Sequence, residues 1–508
     1  MEHRLLPDNT PVIVGAGQCV EHTDHTAVEQ LASPMELGAR AAMRALADAG
    51  LSPDNIDTLA FVRLFADAAK AWACPFGGSN NPPASIARRI GADPTDRIYS
   101  NVGGTEPLSL LAEFCRDIAA GEREVALLCG AEAIATQRLA ERTGVQLNWS
   151  EHFDLPLDDR VYLKRFAAPA ELSSGMSRPV HFYALIENAQ AHGMGHDTAA
   201  HRSFMAELLA PFCTVASANP LAQFPALLSA ESIADLSADN YELSVPYYKR
   251  MIAQDAVNQS AAIVVTSAGK ARKLGIHPAQ WLFISAYAEG EDNFMYLRPD
   301  PARSAAMQAV LHATLQQSEV NIDEIDLLDL YSCFPCAVQA ARECLQLSAQ
   351  DTRPLTVTGG LPFFGGPGNN YSLHALAEVT VRLRSGGRAL VYANGGTLSK
   401  HAAAVLSADA RRGGAYDWGA ATARFEPDSL PRLSPAERVS QGSIVTWTVI
   451  NRRSQPDRGV ILGQTAAGQR FLAASEEPEL TAAMRANDPI GRRVQVISNS
   501  DRWRFSFT

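Results

Sequence analysis

The sequence predicts an α/β fold built from two duplicated halves, with an inserted segment between them and a small β-barrel at the C-terminal end. Three observations carry this expectation. Strand-like and helix-like segments alternate through both halves, the pattern of helices layered on a mostly parallel sheet. The order then repeats: Ile56-Asp57 precede a strand ending at Phe65 as Ile325-Asp326 precede one ending at Phe334, and GEREVALLCG parallels SGGRALVYANG at a nearly equal offset. Beyond about residue 410 the signal changes to short strand-like runs broken by Gly, Pro, Asp and Asn.

Taken in order, PVIVGAG reads as a buried strand. SPMELGARAAMRALADAG follows as a helix, opened by a capping box of Ser33 and Glu36 around Pro34 and stopped by Gly50. IDTLAFVRLF is the next strand. TEPLSLLAEFCRDIAAG is a helix with Leu108, Leu111, Ala112, Cys115 and Ile118 on one face, and EVALLCGAEA a strand. The second half repeats the theme with helix SAAMQAVLHATLQQ, strand IDLLDLYSCF, helix NYSLHALAEVTVRLRSGG and strand RALVYANGG. Between the halves lies a segment rich in His, aromatic and Pro residues, with helical patterns in HFYALIENAQAHG and HRSFMAELLAPF. The tail offers strands in SIVTWTVI, RGVILGQT, QRFLAAS, GRRVQVIS and RWRFSF, and one helix in PELTAAMRAN. The boundaries expected are 1–150 for the first half, 151–255 for the insertion, 256–410 for the second half and 425–508 for the barrel.

Composition narrows the function classes. A chain of 508 residues exceeds what one core usually serves. Its net charge of -11 opposes attraction to nucleic acid or to an anionic membrane surface. Nine arginines between residues 452 and 504 interleave with Glu476, Glu477, Glu479 and Asp488, which reads as a solvated face. Absence of a signal-peptide pattern and of an apolar run near ~20 residues leads to a cytoplasmic expectation. Eight scattered cysteines read as reduced thiols. GAGQCV lacks the third glycine of a dinucleotide fingerprint, so it reads as a tight strand exit. Cys333 and Cys336 form a lone C-x-x-C, and His192, His196 and His201 lack matching carboxylates, so no metal or nucleotide cofactor is implied.

The segment 359–374, GGLPFFGGPGNNYSLH, is dense in glycine and carries no acid or base until His374. With PVIVGAGQ, AAGEREVALLCGAEA, NQSAAIVVTSAGKARKLGI, IDLLDLYSCF and ALVYANGGTLSKHA, it resembles the thiolase superfamily. More narrowly, the chain resembles the sterol-carrier-type thiolase-like proteins of type 1, which carry an additional C-terminal domain. The resemblance implies a five-layer αβαβα core, an OB-like barrel and coenzyme A or an acyl-CoA as substrate or ligand, with no tightly bound cofactor. It leaves monomer or homodimer open.

Set against the family's motifs, the nucleophilic cysteine of Asn-x-x-Cys falls on Gly104, counting from Asn101. Cys115 lies about three turns further along the helix and cannot replace it. The histidine of the G-H-P loop falls on Gly366, and the last catalytic loop reads Ala393-Asn394-Gly395. Where relatives have Asn-Glu-Ala-Phe or His-Asp-Cys-Phe, this chain has Tyr331-Ser332-Cys333-Phe334. The resemblance therefore points to Cys333, Tyr331, His374 and His401, beside Lys400, as the candidate catalytic groups, and to Gly104, Gly366, Asn370, Asn394 and Gly395 as candidate oxyanion or substrate contacts. Three functions follow: acyltransferase-type making or breaking of a carbon–carbon bond without the standard nucleophile, retro-aldol cleavage of a 3-hydroxyacyl-CoA, or catalytically silent binding of a CoA thioester.

Overall fold

Gly15 and Gly17 sit inside the first strand, Pro11–Val20, and let the helix Pro34–Ala49 lie directly on it. A β-carbon at Gly15 would stand 2.9 Å from Ala49 Cβ, and one at Gly17 would stand 2.5 Å from Ala45 N. The glycines of GAGQCV thus serve helix-to-sheet contact within a strand, not a strand exit. The computed structural model describes residues 6–23, 27–160, 167–348, 350–410, 429–431, 433, 437–497 and 502–508.

The first sheet has six strands in the order Pro11–Val20, Asn258–Ser267, Val125–Ala133, Thr58–Phe61, Asp96–Tyr99 and Asp158–Asp159. The second has four: Leu327–Leu330, Arg388–Gly395, Lys400–Ser407 and Phe283–Glu291. Each half holds the same core. A parallel pair (Thr58–Phe61 with Val125–Ala133, Leu327–Leu330 with Arg388–Gly395) is extended by two antiparallel strands. The duplication read from sequence is therefore a duplication of topology. Asn258–Ser267 completes the first sheet by pairing on both sides, although it follows the insertion in sequence.

Helices fill the remaining layers. Pro34–Ala49 and Pro82–Ile90 cover the outer face of the first sheet, and Ala305–Ser318 with Pro335–Cys344 cover the second. Glu106–Ala120 and Tyr371–Arg382 lie between the sheets and touch each other, which completes five layers. Ser33 and Glu36 form the capping box expected, and Gly50 ends that helix in the left-handed region at φ 68°.

Two strands end earlier than their apolar runs. Thr58–Phe61 stops before Arg63, whose guanidinium turns to Ser100 O and Asp159. Leu327–Leu330 stops before Tyr331, and Pro335 opens the following helix. Tyr331 to Phe334 are thereby released at the carboxyl end of a parallel pair, where open α/β sheets bind ligands.

Among the described residues, the insertion packs four helices, Pro169–Ser173, Pro179–Gly193, Thr198–Ser217 and Ala230–Ala234, around the loops of both halves. The tail closes a five-stranded barrel: Gln441–Ile450, Arg458–Gln464, Arg470–Ser475, Arg504–Phe507 and Arg493–Ile497 return to the first strand. The helix Pro478–Ala486 falls between the third and fourth strands in sequence, the order of an OB-like barrel. Ile444, Trp447, Ile461 and Phe471 fill its interior, while Ile450, Val460, Leu462 and Leu472 join the core of the two halves. The start placed at residue 425 lies outside the described residues.

Candidate active site

A cavity of about 640 Å³ opens where the strand Leu327–Leu330 and the loop after Arg388–Gly395 meet the N-terminus of Glu106–Ala120. Gly104, Tyr331, Cys333, Asn394 and Gly395 all line it. Five of the nine candidate residues named from the sequence thus line one chamber. Its apolar wall includes Phe65 and Trp72, stacked with ring centroids 4.4 Å apart, together with Phe294 and Phe334.

Tyr331 takes the space that a side chain at position 104 would need. A β-carbon on Gly104 would stand 2.6 Å from Tyr331 Cζ and 2.5 Å from Asn394 O, and nearer still to the Tyr331 hydroxyl. Burial pushes the phenol well above its ordinary pKa, so it remains a proton donor. The hydroxyl has no hydrogen-bond partner among the described residues, and Tyr331 lines the cavity. The Gly104 N–H, two residues ahead of the 15-residue helix Glu106–Ala120, likewise meets no acceptor among the described residues. Unpaired donors on residues that line a cavity favour a ligand oxygen carrying negative charge.

Cys333 opens on the same cavity with its Sγ 3.7 Å from Asn394 Oδ1. Burial pushes its thiol up to about 12, against the smaller opposing effect of hydrogen bonding with Tyr183 and Asn394. The thiol is therefore protonated at neutral pH. Tyr183, from the insertion helix Pro179–Gly193, donates to Asn394 Oδ1 at 3.0 Å, accepts the Leu398 N–H at 3.0 Å and stacks on Phe334 with centroids 4.1 Å apart. Asn394 Nδ2 has no acceptor among the described residues. Tyr183 carried no sequence signal, since its helix belongs to an unpatterned insertion.

The four remaining site residues lie outside the chamber. His374 is turned away, with Nδ1 2.8 Å from Gln18 Oε1 and its ring edge-on to Phe364; burial lowers it to about 3. Asn370 is pressed on the strand Val125–Ala133, where a β-carbon at Gly130 would meet its Cγ at 2.5 Å. Its neighbour Asn369 reaches the cavity instead, accepting from Gly103 N at 3.0 Å and donating to Arg63 O at 2.8 Å. Gly366 cannot offer its N–H to a substrate, because Gln254 O already accepts it at 2.8 Å.

His401 stands behind the wall, and burial lowers it to about 3, so its ring is neutral. Tyr392 Oη lies 2.8 Å from its Nδ1 and Ser304 Oγ 2.8 Å from its Nε2, and Ser304 donates onward to Asp292 Oδ2. A neutral ring satisfies this chain when Tyr392 donates to Nδ1 and Nε2–H donates to Ser304. Asp292 lines the cavity and ends the chain as a hydrogen-bonded carboxylate.

The glycines of segment 359–374 serve contact between elements. Gly359, at φ 115°, would place a β-carbon 2.5 Å from Ala216 Cα on the insertion helix Thr198–Ser217. Gly368 would place one 3.0 Å from Glu132 Cδ. Glu132 is buried, accepts the Phe65 N–H at 2.7 Å and is raised to about 8 by desolvation.

Among the described residues no group of three His, Cys, Asp or Glu is arranged to hold a metal. His201 Nε2 pairs with Glu187 at 2.7 Å inside a buried network that includes Tyr247 and the Cys336 N–H, while His192 pairs with Asp488. No helix among the described residues is long and apolar enough to cross a membrane.

Residues 430–501 match the thiolase-like protein type 1 additional C-terminal domain. No curated protein sequence matches the chain. Among solved structures, it is 32% identical to a monomeric SCP2-thiolase like protein type 1 from Mycobacterium smegmatis, covering 99% of this chain and 100% of that one with a TM-score of 0.82. An Ltp2-ChsH2(DUF35) aldolase shares the fold at 20% identity, covering 80% of this chain and 99% of that one with a TM-score of 0.59. So does an acetyl-CoA acetyltransferase from Syntrophomonas wolfei at 16% identity, covering 80% of this chain and 100% of that one with a TM-score of 0.58. The chain belongs to the thiolase superfamily, in the SCP2-thiolase-like type 1 group whose members carry an additional C-terminal domain.

Proposed function

We propose that the protein breaks or makes a carbon–carbon bond in an acyl-CoA thioester by proton transfer alone, as a retro-aldolase of 3-hydroxyacyl-CoA. The observation that carries this reading is the Tyr331 phenol standing in the space of the missing nucleophile. An acyl-enzyme at position 104 has no room to form, and Cys333 is too weakly acidic to supply a thiolate in its place.

In the cleavage direction, the Asp292 carboxylate takes the proton of the 3-hydroxyl group. The C2–C3 bond breaks, its electron pair passing to C2 and the thioester oxygen, while C3 becomes the carbonyl carbon of a released aldehyde or ketone. The Gly104 N–H and Asn394 Nδ2 hold the enolate oxygen, and the helix N-terminus adds a favourable dipole. Tyr331 then protonates C2, and its phenolate recovers the proton that Asp292 took. The fused barrel is consistent with this reading, since one fold neighbour is an aldolase paired with a DUF35 protein.

Incubation with a 3-hydroxyacyl-CoA should release a carbonyl compound and a shortened acyl-CoA. Tyr331→Phe should lower the rate by about 10²–10⁴-fold, the range of a lost proton-transfer group. Unchanged turnover in Tyr331→Phe would remove the phenol from the mechanism. A wild-type protein that binds the thioester and converts none would favour the silent binding function instead, a reading the high thiol pKa of Cys333 also accommodates.

A further inference from the structure

Three guanidinium groups converge on one carboxylate oxygen where the barrel meets the insertion. Arg458 Nη2 lies 2.8 Å, Arg452 Nη1 3.1 Å and Arg502 Nη1 3.7 Å from Glu476 Oε1. The side chains of Arg452 and Arg458 are only 16% and 11% exposed, while that of Glu476 is 43% exposed. Among the described residues, Glu476 is the one carboxylate ion-paired with Arg452 and Arg458. A structural ion network balances its charges; here two sheltered guanidinium groups share one carboxylate oxygen, in a place where like charges repel strongly. Burial first, then the charges of Arg458, Arg452 and Arg504, lowers the Arg502 guanidinium, against the opposing effect of Glu476.

The cluster touches the wall of the active cavity. Pro169 and Pro179 line that cavity, and the segment joining them runs under the arginines. Arg502 Nε donates to Ser173 O at 3.1 Å, and Arg458 lies so close to Gly175 that a β-carbon there would meet its Cζ at 2.9 Å. Met176 is fully buried in the main core and pins the segment in place. From Pro169 to Gly175 the chain spans at most ~20 Å. That reach suits an extended pantetheine arm with its thioester in the cavity and its nucleotide outside.

We infer that Arg452, Arg458 and Arg502 form the phosphate-binding subsite for the nucleotide end of a CoA thioester, so that the additional barrel supplies the handle while the two halves hold the acyl end. This rests on the thioester reading above. Guanidinium forks match phosphate oxygens in pairs, and the exposed Glu476 is a placeholder that a phosphate displaces.

The test is calorimetric titration of the full chain with acetyl-CoA, with S-acetylpantetheine and with adenosine 3′,5′-bisphosphate. The wild type should bind acetyl-CoA about tenfold or more tighter than S-acetylpantetheine, with the advantage fading as salt rises. Arg452→Gln/Arg458→Gln should abolish that advantage and leave S-acetylpantetheine unaffected. Glu476→Gln, which removes the competing anion and keeps every arginine, should bind acetyl-CoA severalfold more tightly, so the test does not depend on one variant folding. Equal affinity of the wild type for both thioesters, or equal weakening of both in the double variant, would overturn the subsite and leave the thioester reading standing. Adenosine bisphosphate binding as tightly as acetyl-CoA would overturn it in favour of a free nucleotide. Binding of neither thioester would overturn both readings.

Discussion

Tyr331 and Gly104 exclude one another: with the phenol in place, a β-carbon on residue 104 would approach Tyr331 Cζ to 2.6 Å. The missing nucleophile is therefore a repacked site, and restoring the cysteine alone does not restore the chemistry. Gly104→Ala should cost about 1–3 kcal/mol in urea unfolding, the usual penalty of an overpacked core. Combined with Tyr331→Ala it should cost less than the sum of the two single changes, a coupling of about 0.5–3 kcal/mol. Strict additivity would mean that the two positions do not share space.

Cys333 should be unreactive for an electrostatic reason. With its thiol at about 12 instead of the usual 9.0, native Cys333 holds about a thousandfold less thiolate at pH 8 than an unfolded cysteine. Peptide mapping after brief iodoacetamide treatment should find this residue unlabelled at pH 8 and labelled as the pH nears 12. Rapid labelling at pH 7 would mark it as a nucleophile after all.

Glu132 should make stability fall with rising pH. Its carboxyl sits at about 8 in the folded chain against 4.5 for an ordinary glutamate, because desolvation disfavours the charged form. The folded state thus binds the proton more tightly than the unfolded one. Its contribution is fully present below pH 4.5, declines above that and is lost once the pH passes about 8. Glu132→Gln should flatten the decline in denaturation midpoint between those limits while keeping an acceptor for the Phe65 N–H. An unaltered slope would assign the pH dependence to other groups, Glu106 among them, which burial raises to about 7.

The layers of the fold were legible because they rest on local rules: apolar period, the Ser33 capping box, Gly50 as a stop and the short runs of the barrel. Long-range pairing was not. Asn258–Ser267 reads as the opening of the second half, yet its partners are Pro11–Val20 and Val125–Ala133, and nothing in the strand itself encodes that choice.

At the site, the motif positions Gly104, Tyr331, Cys333, Asn394 and Gly395 all line one chamber. The misses are matters of direction. Asn369 rather than Asn370 faces the cavity, a one-residue difference at a helix entrance where successive side chains diverge by about 100°. His374 is close in sequence but rotated onto Gln18. Tyr183 was invisible because its role depends on a contact 211 residues away in sequence, with Asn394.

Turnover without an acyl-enzyme is read out by the intact mass of the protein while it works. The protein should be acid-quenched while it converts a 3-hydroxyacyl-CoA, and its mass and the free CoA measured together. The expected result is an unchanged protein mass, no consumption of free CoA and a carbonyl product accumulating. A mass gain equal to an acyl group, or a product that forms only when free CoA is consumed, would contradict it.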